Sequence, residues 1–266
     1  MKTTKSFSAI IAALSLTAAA AGAQAATITN ATTTVTDFGG FDWASNGTAV
    51  VDGFNATVVN DTFDLTYYAK ATAILDPLGV AVFGLVGTPF EYTIRAVLNE
   101  TSTCLSGLPG TCTNATFAVN SGSFQIWYDT TPDSNMVTGA GITDGVLILS
   151  GTIAAQPGGG FNVLTGGLAT LDATVTFTNT TYINPQLTGS TATTTLQFGS
   201  SQTGWAAPVD TMPGAAGGTQ ALPANYLALQ ADANQNFTAA VPEPGTIALA
   251  GIALLGLGLA RRGRKA

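Results

Sequence analysis

The chain has 266 residues, a formal net charge of −7, two cysteines and no histidine. Without histidine there is no Ser-His-Asp or Cys-His nucleophilic machinery, no imidazole base and no zinc site of the usual kinds. Between Ala26 and Ala240 only Lys70 and Arg95 stand against fourteen Asp and Glu, a net near −12 (2 − 14) that repels phosphate backbones and excludes nucleic acid as partner.

Met1 to Ala25 reads as a secretory signal peptide. Lys2 and Lys5 form its basic start, Ala9 to Ala21 its apolar run, and Ala23-Gln24-Ala25 a small-residue cleavage site for signal peptidase. The body that follows is long enough for one well-buried core. It is rich in Thr, Gly, Ala and Val, which favours strands over helices.

Strands are expected at Phe63–Lys70 and Leu171–Thr178, where apolar and polar residues alternate with a period of two. Denser apolar runs at Gly79–Val86, Tyr92–Leu98, Phe124–Tyr128 and Val146–Ile153 read as central strands. Weaker strand signals fall at Thr27–Val35, Thr48–Val51, Thr116–Val119 and Thr191–Phe198. Turn chemistry separates them at Asp37–Gly40, Asp76–Gly79, Thr143–Gly145 and Gln156–Gly160. About ten short strands with such turns imply an all-β, antiparallel β-sandwich over residues 26–230. Within it, residues 199–230 are partly loop, marked by Pro208, Pro213, Pro223 and Gly214–Gly218, with a last short strand at Tyr226–Gln230. The polar run 231–241 reads as a spacer.

Cys104 and Cys112 flank Leu-Ser-Gly-Leu-Pro-Gly-Thr and read as a disulfide pinching a loop of an exported protein. The body offers no catalytic residues: Glu91 and Glu100 are its only glutamates, and no carboxylate pair stands out from the turn aspartates as a glycosidase would need. The chain is therefore read as a non-enzyme without cofactor. Asp129-Thr130-Thr131-Pro132-Asp133-Ser134-Asn135 offers oxygen ligands at its first, fifth and seventh positions but lacks the third-position ligand, the central glycine and the terminal Glu of an EF-hand loop, so a solvated turn is expected and no metal site is assigned. Trp43, Tyr67, Tyr68, Trp127, Tyr128 and Trp205 are read first as core aromatics, with a glycan-stacking platform as the alternative. Eight of fourteen asparagines begin an Asn-x-Thr triplet, read as turn-to-strand punctuation.

The last segment, 242–266, has three parts in order. Pro242-Glu243-Pro244-Gly245 breaks any incoming helix, Thr246 to Ala260 is apolar, and Arg261, Arg262, Arg264 and Lys265 form a basic tail. As a helix, the apolar run rises only about 22 Å, short of a hydrocarbon core of about 30 Å, which suits transient membrane retention with the basic tail in the cytoplasm. These three parts resemble the PEP-CTERM sorting signal of Gram-negative bacteria. The resemblance implies export, an inner-membrane intermediate, an exosortase that cuts near Pro242, and a surface or extracellular destination. Such proteins occur in species that make exopolysaccharide, and Phe63–Leu75 and Phe124–Asn135 are loosely similar to the flocculation-associated members. The resemblance implies a structural or adhesive role in exopolysaccharide, biofilm or floc; a glycan- or calcium-binding module of the same fold is the alternative, ahead of a carboxylate-based glycan-active enzyme.

Overall fold

The computed structural model describes residues 26–55, 57–107, 112–201, 207–208, 219–220 and 226–238, all within one compact unit spanning residues 25–239. The signal-peptide residues, including Ala23 and Ala25, lie outside the described residues. So do Trp205, Pro242, Glu243, Pro244, the apolar run 246–260 and the basic tail.

The expectation of an all-β body holds. The strands are β1 (Ala26–Thr29), β2 (Thr34–Phe38), β3 (Gly40–Asp52), β4 (Asn60–Leu75), β5 (Ala81–Gly84), β6 (Glu91–Ser106) and β7 (Asn114–Asp129). They continue with β8 (Val146–Ile153), β9 (Gln156–Asn162), β10 (Gly166–Thr178), β11 (Ile183–Asn184), β12 (Thr191–Ser201), β13 (Ala207–Pro208), β14 (Thr219–Gln220) and β15 (Tyr226–Thr238). No helix among the described residues is long and apolar enough to cross a membrane.

The architecture is a barrel-like sheet rather than a sandwich. Strands β3, β4, β6, β7, β8, β10, β12 and β15 are hydrogen-bonded in that order, and β15 returns to β3 through Ala228↔Val50 and Gln235↔Phe41. Strand β9 prolongs β8, since both run between β7 and β10. The main sheet is thus a ring of antiparallel neighbours in chain order. Alternation along one strand is the same in a sandwich and a barrel; closure depends on the long-range β15–β3 pairing, which periodicity does not reveal.

That pairing also corrects the spacer at 231–241. Residues 231–238 belong to β15, bonded to β3 on one side and β12 on the other. Ala231, Ala233, Gln235 and Phe237 face inward and are buried, while Asn234 and Thr238 are exposed. The strand period is present, but two of its inward positions are alanine and one is glutamine. The segment therefore reads as polar although half of it is core.

A second correction concerns Gln156–Gly160, expected as a turn and found in β9. Glycine is needed there because β9 is squeezed between two strands. A Cβ on Gly159, whose φ is +108°, would lie 2.2 Å from the Leu168 carbonyl oxygen. Gly79–Val86 shortens to β5 on the edge of β4, and Thr27–Val35 divides into β1 and the start of β2.

One barrel end is covered by the small sheet β11–β1–β2. Its buried Ile28, Phe38 and Ile183 join the aromatic cluster Phe41, Phe90, Tyr92 and Tyr128. Each such side chain, fully buried, contributes roughly 1.5–3 kcal/mol.

Candidate functional site

The expected loop disulfide is present. Cys104 near the end of β6 is bonded to Cys112 just before β7, with Cα atoms 5.8 Å apart, so it ties the base of a hairpin connection. Closing a loop of this length stabilises by about 2.5 kcal/mol on the chain-entropy estimate. Reduction under native conditions is accordingly expected to lower the unfolding free energy by about that amount, measured by urea titration with and without reductant; an unchanged midpoint would contradict it.

The aromatics read first as core, and alternatively as a stacking platform, are buried where they are described. Trp43, Tyr67, Tyr68, Trp127 and Tyr128 all lie in the body's interior, so their rings present no exposed face for a sugar. Asn-x-Thr acts as turn punctuation at three positions. Asn30, Asn55 and Asn179 each accept, through the amide oxygen, the backbone N–H two residues on. Asn46, Asn60, Asn99, Asn114 and Asn236 lie within strands instead.

The Asp129–Asn135 segment is more than a solvated turn. It opens the β7–β8 connection, which straps across the outside of β3, β4 and β6. Thr48 Oγ1 donates to the Met136 carbonyl at 2.6 Å, and Thr93 Oγ1 to the Ile142 carbonyl at 2.6 Å. Met136 and Ile142 pack on Val50, Tyr68 and Ala228 as an apolar cluster outside the barrel. Beneath the strap lies a buried carboxylate. Glu91 Oε2 pairs with Lys70 Nζ at 3.0 Å, its side chain 0% exposed against 37% for the lysine. Glu91 Oε1 accepts the backbone N–H groups of Asp133 and Ser134, and Oε2 accepts the Ser134 hydroxyl at 2.7 Å. Sequence reasoning passed over this pair, although Glu91 and Lys70 are rare types in the body; that rarity was the available signal.

On the outer side of the same strap, the structure brings Asp144 to Asp129 and Asp133, with a carboxylate oxygen of each within 4.8 Å of the others. Partial burial, followed by the neighbouring Asp133 and Asp129 carboxylates, holds Asp144 above the usual carboxylate range. Asp144 lies outside the seven residues singled out from sequence, so the third carboxylate of the cluster comes from the far end of the strap.

The PEP-CTERM protein-sorting motif matches residues 240–265, which include Pro242, Glu243, Pro244 and the basic residues Arg261, Arg262, Arg264 and Lys265. No curated protein and no solved structure matches the chain. The chain thus carries an exosortase-sorting signal behind an all-β body. The motif makes an exosortase its processing partner and directs it, by way of the membrane, to the surface or the extracellular space.

Proposed function

We propose that this exported, exosortase-sorted chain is a non-catalytic structural or adhesive component of exopolysaccharide, biofilm or floc. The observation that carries the reading is the sorting motif at residues 240–265. It is supported by the acidic body and by the loose similarity of Phe63–Leu75 and Phe124–Asn135 to flocculation-associated proteins. In this reading signal peptidase removes residues 1–25, and the apolar run 246–260 holds the chain in the inner membrane with its basic tail in the cytoplasm. The exosortase then cuts near Pro242.

Intact-mass analysis of the extracellular form tests the processing. The expected mass is that of a chain from Ala26 to near Pro242 with one disulfide; a mass matching residues 26–266 would overturn it. The matrix role is tested in a producing strain that lacks the protein. Weaker floc or biofilm cohesion at unchanged exopolysaccharide yield is expected, and unaltered cohesion would count against the role.

A second reading, a calcium-binding module, draws on the Asp129, Asp133 and Asp144 cluster. Calcium prefers six to eight oxygen ligands and relieves repulsion among carboxylates. A calcium-dependent rise in melting temperature, abolished by Asp144→Asn, would favour it; no shift leaves the structural reading.

A further inference from the structure

The two barrel ends differ. Opposite the small sheet, where β4, β7 and β15 begin and β3, β6, β9 and β12 finish, the structure holds an apolar pocket of about 220 Å³. Phe54, Phe63, Phe117, Phe161, Leu65 and Leu229 form much of its wall. Phe54 meets Phe63 edge-on at 5.7 Å, and Phe63 meets Phe117 the same way at 5.8 Å. Around the same end Val58, Leu105, Leu164 and Leu227 are exposed, which extends the apolar surface outward. Barrel mouths are a preferred place for small-ligand sites.

One side chain does not belong in such a wall. Along β6 the inward stripe runs Tyr92, Ile94, Ala96, Leu98 and then Glu100, which lines the pocket at 4% exposure. Its carboxyl has no hydrogen bond or ion pair among the described residues. Burial pushes it up to about 7. Among the described residues no other titratable group lines the pocket, Cys112 being disulfide-bonded. Across from it β9 carries a glycine: a Cβ on Gly158 would stand 3.3 Å from Glu100 Oε1. A leucine at position 100 would continue the stripe without burying an unpaired polar group. Lining the pocket, the carboxyl is placed to meet a partner that enters it.

We propose that the barrel mouth binds a small amphiphilic amine, its apolar part against the phenylalanines and its ammonium on Glu100. An ammonium supplies both the missing hydrogen-bond donors and the opposite charge, whereas an alcohol supplies one donor and a carboxylate ligand repels. The acidic body draws cations toward the mouth. A cavity of about 150 Å³ lined by Leu, Ile and Phe takes benzene, so this pocket admits a somewhat larger apolar group.

Isothermal titration of the purified exported protein at about pH 8 tests the site, with octylamine, 1-octanol and octanoate as probes below their micelle concentrations. Octylamine is expected to bind one site per chain at least about tenfold tighter than octanol, with octanoate weakest. Glu100→Gln should weaken octylamine by about tenfold or more while leaving octanol within about twofold. Leu227→Trp, at an exposed position of the pocket, should block both probes in a folded protein. Equal affinities for octylamine and octanol, or octylamine binding indifferent to Glu100→Gln, would overturn the amine assignment. Absence of saturable binding, or binding untouched by Leu227→Trp, would overturn the site. If Glu100→Gln does not fold, the probe comparison and Leu227→Trp decide.

Discussion

Glu91→Ala is expected to lower the unfolding free energy by on the order of 4 kcal/mol, more than Lys70→Met, for which roughly 2 kcal/mol is expected. The asymmetry follows from what each change leaves behind. Removing Lys70 strips one partner from a carboxylate that keeps three hydrogen bonds from Asp133 and Ser134. Removing Glu91 leaves those donors without their acceptor and opens a void under the strap. Lys70, at 37% side-chain exposure, then turns to water at modest cost. The pair itself is not the main source of stability, because desolvating Glu91 offsets much of its attraction to Lys70. What Glu91 secures is the fold of the β7–β8 connection and, through it, the packing of Met136 and Ile142 on Tyr68. Urea titration of the two variants checks the order. A Glu91→Ala cost below about 1 kcal/mol, or one smaller than that of Lys70→Met, would show that the strap is held by its apolar contacts alone.

The strap shows where reading the sequence stops. Strand identity was legible wherever alternation used large apolar residues, as in Phe63–Lys70 and Leu171–Thr178. It failed where the inward positions were small or polar: Ala231, Ala233 and Gln235 hid half of β15 in what looked like a spacer. The glycines of β9 looked like a turn because close approach of two neighbouring strands and a tight turn select the same residue. The disulfide was legible because two cysteines in a short exported loop have one pairing. Neither the cluster of Asp129, Asp133 and Asp144 nor the Glu91–Lys70 pair was, since the first forms only when the β7–β8 connection folds back and the second only when β4 pairs with β6, Lys70 lying opposite Thr93. The inward direction of Glu100 was available in principle, because it continues the even-numbered apolar stripe from Tyr92 to Leu98. Judged by residue type alone, a lone glutamate near a loop passes for surface.

Glu100 should also make stability depend on pH in a way one substitution removes. In the folded barrel its carboxyl holds a proton up to about 7, against an ordinary value of 4.5. Between those values the folded state binds more protons than the unfolded state, so stability falls as pH rises. The contribution is fully present below 4.5 and lost as pH passes through about 7. At roughly 1.4 kcal/mol for each pH step across that window, the loss is on the order of 3 kcal/mol. Asp144 and Asp232 also sit above the usual carboxylate range, the first by burial and its neighbouring aspartates, the second by burial and Asp42. They titrate in wild type and variant alike and cancel in the difference. Glu100→Gln keeps the shape of the side chain and cannot ionise. Relative to wild type it is expected to gain about 3 kcal/mol between about pH 4 and pH 8, read from urea midpoints at each pH. Parallel pH profiles would place the Glu100 carboxyl in water. Octylamine added at about pH 8 should narrow the difference, because an ammonium on the carboxylate offsets the cost of ionising it inside the barrel.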